Sequence, residues 1–356
     1  MPAVLLAALL VAGLRADPEK LAREYASAVE KLDEEHTRKP EAKTEEALAA
    51  KLPVAASRAL EALIAAENDP ELAGALARAG EAALDLARLE DFERVRARLA
   101  ALDPAAAKSL GIALARPRFL ARGTDGVEPE GLAAVADVFD LVLDAYGELF
   151  GITSFSKVPG KKLRLRVHLV AAIENPPHFA PQFPYHSEID FPVIDARAFR
   201  SPTADGKFLF YGLCHELGHV VAMWGDPSKE EDHHAWAHYT GVAVVEYLSK
   251  SKADAPALAG VKDVQWRSLA QEREAIAKAG TKASTADRAG VLALLVGLHD
   301  AVGPKPIGAA IEGLSAAGKG TRVNRVRYYR LEELEAALLA TPEGKKARRE
   351  VSALFR

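Results

Sequence analysis

The stretch Leu213-Cys214-His215-Glu216-Leu217-Gly218-His219-Val220-Val221 sets two histidines four residues apart inside an apolar run reaching from Phe208 to Met223. A helix advances ~100° per residue, so His215 and His219 project from one face about a turn apart. Two imidazoles placed this way can both reach one Zn²⁺ at ~2.0–2.1 Å. Glu216 lies ~100° round the helix from His215, too far for an ideal third ligand but placed to take a proton from a water on the metal. The apolar flanks Leu209, Phe210, Leu213, Val220 and Val221 belong to a buried helix rather than to a solvated one carrying two chance histidines. One turn of this H-E-x-x-H helix therefore offers two metal ligands and a general base.

The surroundings are short strands and helices. Arg118 to Gly126 has an apolar and aromatic start and a glycine-bounded turn, which predicts a short strand from Phe119. Pro129 opens a periodic helix, with Leu132, Val135, Val138, Phe139, Val142, Leu143, Tyr146 and Phe150 on its apolar face and Gly151 closing it. Residues Lys162 to Val170 alternate apolar and basic, the period of a half-buried strand whose Arg164, Arg166 and His168 share the exposed side. After a proline-rich loop, Tyr185 to Ile194 predicts a second strand, confined to a sheet edge by Pro192. From Phe208 the pattern is helical to the C-terminus. The fold class is thus α+β and mostly helical.

Residues 17 to about 112 are rich in Ala, Leu, Glu and Arg at helical spacing, as in Leu84, Leu86, Leu89, Phe92, Val95 and Leu99. They predict an N-terminal helical hairpin array. Asp69-Pro70 recurs 34 residues later as Asp103-Pro104, and with Gly80 the stretch Ala73 to Pro104 resembles one degenerate tetratricopeptide repeat; a plain hairpin array accounts for it equally. The expected organisation is 1–16 as a signal peptide, 17–112 as the helical domain, 113–250 as the core that carries the site, and 251–356 as a C-terminal helical subdomain completing its cleft.

A catalytic zinc site needs a third protein ligand and an open position for water. The spacing with Gly three and His six residues after the second His is absent, because Ala222 and Gly225 stand there, and this excludes the metzincin arrangement. The candidates follow Gly225-Asp226-Pro227, in Lys229-Glu-Glu-Asp-His-His-Ala-Trp-Ala-His-Tyr-Thr-Gly241. With the strand from Phe119, the helix to Phe150, the strand from Leu163 and the H-E-x-x-H helix in that order, residues 115 to 250 resemble the gluzincin-type zinc peptidases with a peptidase-MA-like domain. The resemblance implies a zincin-like domain that hydrolyses peptide bonds, and a following helix that begins Glu-Gly-x-Ala-x-Tyr and whose Glu is the third ligand. Matching Ala237 and Tyr239 to that pattern puts His234 where the Glu should be. Imidazole is an ordinary zinc ligand, and a three-histidine set is less negative by one charge and better at acidifying its water. His238, Glu231 and Asp232 remain alternatives, as does His233; a capped, solvated helix start is the competing reading of this cluster. The departure also leaves room for a domain that keeps metal without catalysis and acts as a binding or scaffold protein.

Other residues carry weaker signals. Cys214 points ~100° away from His215 and reads as a buried, inert thiol. Tyr328 and Tyr329 are candidates for the electrophile that stabilises an oxyanion, against a structural role for the Arg/Tyr run that contains them. Trp236 reads as core, His299 as lying near a helix end, and His178 and His186 as solvated loop residues. Fifty acidic against 46 basic residues in the 356 give a formal charge of -4, without the basic excess a nucleic-acid partner demands. The expected partners are a peptide or protein substrate and, through the N-terminal helices, a protein. A lone Cys cannot form an intramolecular disulfide. The apolar run Ala3 to Leu14, too short for a bilayer span, has the length of a signal-peptide core and points to export, although no Lys or Arg precedes it; an uncleaved run implies the cytoplasm. No later segment approaches 18 consecutive apolar residues, so no membrane span is expected in the mature chain.

Overall fold

The computed structural model describes residues 17–38, 45–155, 161–170, 178–180, 188–193, 204–224, 230–259, 268–285, 287–323 and 326–356. The expected signal peptide, His186, the start of the Tyr185 strand and the Gly225-Asp226-Pro227 break lie outside them. So do the side chains of His178, Glu231, Asp232 and His233. The fold is α+β and mostly helical, in two compact units: residues 1–115 with 124–126 and 158–162, and the remainder of 116–356.

The first unit holds α1 (Pro18–Arg38), α2 (Glu45–Ala49), α3 (Val54–Ile64), α4 (Leu72–Asp85), α5 (Leu89–Leu102), α6 (Pro104–Leu110) and the short β1 (Ile112–Ala115). Asp17 starts α1 by accepting the Lys20 N–H at 3.1 Å, with Pro18 just inside, and the helix buries Ala22, Tyr25 and Val29 against α3 and α4. The recurring Asp-Pro pair has a local cause. Asp69 accepts the Glu71 N–H at 2.9 Å just before α4, and Asp103 caps α6 through the Ala105 and Ala106 N–H groups, both at 3.0 Å. Gly80 allows a tight contact, since a Cβ there would stand 2.8 Å from the Leu110 side chain.

The second unit contains β2 (Phe119–Thr124), α7 (Pro129–Phe150), β3 (Leu163–Leu169), β4 (His178–Ala180), β5 (Glu188–Val193), α8 (Ala204–Val221), β6 (Met223–Trp224) and α9 (Glu230–Ser251). It continues with α10 (Leu269–Ala279), α11 (Arg288–Val302), α12 (Pro304–Ala316), β7 (Thr321–Val323), β8 (Val326–Tyr329), α13 (Leu331–Ala340), α14 (Pro342–Lys346) and α15 (Arg348–Leu354). Helix α7 begins at Pro129 and ends at Gly151, whose φ of 75° is the left-handed conformation that suits glycine. Its buried face, from Leu132 to Phe150, is the one the periodicity marks.

Three expectations about the sheets need correction. Strand β5 is interior rather than an edge, since the strands of this unit run β2-β3-β5-β4, with β5 parallel to β3 and antiparallel to β4. Pro192 is tolerated because β4 pairs only with Glu188 to Asp190, and on the other side Pro192 lies opposite His168. The basic side of β3 is exposed only in part, at Arg166. Arg164 is 6% exposed and lies opposite Glu188, while His168 Nδ1 stands 3.1 Å from Asp190 Oδ1. Finally, the region after Phe208 is not all helix. A second sheet of order β6-β8-β7 sets Met223 and Trp224 beside Tyr328 and Tyr329, a pairing across a hundred residues that leaves no local period.

Candidate metal centre

From Leu209 onward helix α8 is largely buried, with Leu209, Phe210, Leu213, Cys214, Leu217 and Val220 at 2% exposure or less, so burial holds this part of it. It packs most extensively on α9. Glycines let the two helices approach closely: a Cβ on Gly218 would stand 2.9 Å from the Ala237 Cα, and one on Gly241 would stand 3.3 Å from the backbone of His215. Side chains from both sides then fasten α8 through its own carbonyls. The Tyr146 hydroxyl of α7 donates to the Cys214 carbonyl at 2.7 Å, and Trp236 Nε1 of α9 donates to the Gly218 carbonyl at 2.9 Å. Both bonds are buried, and each falls on the residue just before one of the two histidines, Cys214 before His215 and Gly218 before His219.

This crossing brings His234, near the start of α9, onto the two histidines of α8. The donor atoms of His215, His219 and His234 all lie within 4.8 Å of one another. The ring centroids of His219 stand 4.9 Å from those of His215 and 4.8 Å from those of His234, both edge-on, and the His215 and His234 rings lie parallel at 5.8 Å. Three imidazoles from two helices thus form a group able to hold a metal ion. His219 is buried, and His215 and His234 are partly exposed.

Glu216, next to His215, is 8% exposed, and its charge bears on the phenols of Tyr146 and Tyr211. His238, an alternative ligand in the sequence, faces elsewhere. Its Nδ1 is 2.5 Å from the Tyr211 hydroxyl and its Nε2 is 3.2 Å from Glu272 Oε1, and Glu272 is 3% exposed. The same Tyr211 hydroxyl stands 3.2 Å from Nδ1 of His215. Tyr211 and Glu272 were not legible as site residues, though Tyr211 stands one helical turn before His215, as His238 stands one turn after His234. Burial pushes the Tyr211 phenol up from its usual pKa.

The remaining candidates lie outside the three-histidine group. Cys214 is fully buried, and burial pushes its thiol up as well. Trp236 is core. Tyr329 is buried with its ring 5.4 Å from Trp224, and Tyr328 lies between β6 and β7 in the small sheet, opposite Met223 and Thr321. His299 lies in the last turn of α11, 2.9 Å from the Tyr239 hydroxyl, and burial lowers its pKa.

Comparison with family models, curated proteins and solved structures found no match to this chain. What the protein does must therefore be read from the chemistry of its own residues.

Proposed function

We propose that His215, His219 and His234 hold one Zn²⁺ and that this site hydrolyses peptide bonds, with Glu216 as general base. The supporting observation is the convergence of a third imidazole, from a different helix, on the H-E-x-x-H pair. The donor set suits the ion, because neutral imidazole is an ordinary zinc ligand. Tetrahedral bonds of ~2.0–2.1 Å place donor nitrogens about 3.4 Å apart, a modest contraction of a group already gathered within 4.8 Å. When bound, Zn²⁺ supplies a Lewis acid and lowers the pKa of a coordinated water toward ~7.

The chain's own residues do the rest. The Glu216 carboxylate takes the proton of the attacking water and returns it to the leaving amine, and its burial keeps competing water from that carboxylate. Among the described residues β4 is the outermost strand beside β5 and contacts α8, which makes it the strand for an extended peptide to pair with through main-chain hydrogen bonds. The reading resembles a gluzincin-type peptidase with imidazole in place of the third-ligand carboxylate.

Metal analysis and digestion of a peptide mixture by wild type and Glu216→Gln test it. About one zinc per chain and cleavage lost in the variant are expected; less than a tenth of an equivalent after reconstitution would sink the metal assignment. A second reading, a metal-holding domain that serves as a binding or scaffold protein, draws on the low exposure of Glu216 and on the imidazole where the resembled family has a carboxylate. Zinc bound without any cleavage by wild type would favour it.

A further inference from the structure

Glu272, His238, Tyr211 and His215 form one hydrogen-bonded line across three helices, α10, α9 and α8. Its chemistry has a direction. Glu272 stands in the first turn of α10, where the helix dipole favours a carboxylate, and an ionised carboxylate only accepts hydrogen bonds. His238 then carries its proton on Nε2 and donates to Glu272 Oε1 at 3.2 Å. That leaves a lone pair on His238 Nδ1 to accept the Tyr211 hydroxyl at 2.5 Å. A hydroxyl oxygen that donates its proton still has lone pairs, so the Tyr211 oxygen can accept the Nδ1–H of His215 at 3.2 Å. With these roles every donor points toward Glu272, an arrangement that matches the neutral His215 tautomer whose lone pair is on Nε2.

We propose that Glu272, His238 and Tyr211 are positioning residues that set the tautomer and ring orientation of His215 for metal binding, an assignment that rests on the metal reading above. A metal-ligating histidine generally donates its other ring N–H to a polar partner, which orients the ring and raises its basicity, and loss of that partner typically costs 10- to 100-fold in metal affinity. Here the partner is a phenol, backed by an imidazole and a buried carboxylate. The line explains why His238, one turn from His234 on the same helix, is not drawn into the three-histidine group: its two nitrogens are engaged by Tyr211 and Glu272.

The test uses the full chain. In the metal-free protein, long-range proton–nitrogen NMR of ¹⁵N-labelled histidine should show His215 protonated on Nδ1, and Tyr211→Phe should release that preference. Zinc competition against a chromophoric chelator should show Tyr211→Phe and His238→Leu binding ~10- to 100-fold more weakly than wild type. His238→Gln should stay within about threefold, because its amide oxygen can accept from Tyr211 while its NH₂ donates to Glu272. A merely structural role for the line would not produce that rescue. Equal zinc affinity in wild type and Tyr211→Phe, or a His215 proton on Nε2 in the metal-free chain, would overturn the positioning role and leave the metal reading standing. Failure of wild type to bind zinc would overturn both.

Discussion

Each unit buries polar side chains among apolar helices, and one cluster in each makes a contrast. In the first, Lys161 and Asp33 are paired at 0% and 2% side-chain exposure. Nearby in the same unit Asp91 accepts the Tyr25 hydroxyl at 3.0 Å and is paired with Arg88, which also donates to the Ala49 carbonyl at 3.0 Å. Opposite charges meet, so these clusters are complete within the protein. In the second, three imidazoles, groups of one kind, converge on a common point. The difference teaches that the first arrangement is satisfied by its own opposite charges, whereas the second is a group of like donors that could hold a metal ion.

The comparison can be broken most sharply at Glu216. Glu216→Gln should lower peptide hydrolysis by ~10²- to 10⁴-fold with zinc content unchanged, since the amide cannot take a proton; undiminished cleavage would remove Glu216 from its role. Asp33→Ala should remove one side of a buried ion pair and cost the chain about 3–5 kcal/mol in denaturant unfolding, with zinc affinity unmoved. A change in zinc affinity there would erase the contrast between the units. His234→Ala should weaken zinc binding by at least ~10- to 100-fold and leave metal-free stability nearly untouched, and His238→Ala should cost less. The reverse ranking would move the third ligand one turn along α9.

The smallest effect concerns Glu188 on β5. Burial raises its carboxyl pKa from 4.5 to about 7, with Asp190 adding to the shift and Arg166, Arg122 and Arg164 opposing it. The folded chain therefore keeps a proton that the unfolded chain gives up, so the group's contribution is complete below about pH 4.5 and is lost as pH climbs through 7. Glu188→Gln should raise stability at pH 8 by up to about 2 kcal/mol and flatten the decline between these limits. An unchanged pH profile of unfolding would dispose of this assignment.

Legibility followed the range of the interactions. Helix α7 and strand β3 were readable because Pro129, Gly151 and the period-two alternation act within a few residues. The interior place of β5 was not, because Pro192 reports only its own missing N–H and says nothing of how far a neighbouring strand extends. The small sheet was invisible for a similar reason: a two-residue strand has no period, and its partner lies a hundred residues on. Around the candidate metal centre, Tyr211 carried a weak signal in its spacing from His215, whereas Glu272 carried none.

The sequence alone determined the mostly helical α+β class and the pairing of His215 with His219, since four residues of helix fix two side chains on one face whatever surrounds them. For a candidate third donor it pointed to the start of α9, favouring His234 by the family resemblance while leaving His238, one turn along on the same face, and Glu231, Asp232 and His233 open. The separation of His234 from His238 is tertiary. Gly218, Ala237 and Gly241 let α8 and α9 cross closely enough for His234 to meet the pair, while Tyr211 and Glu272, brought from α8 and α10, occupy both nitrogens of His238. Helical periodicity specifies a direction in space, and only the packing of a second helix decides what stands there.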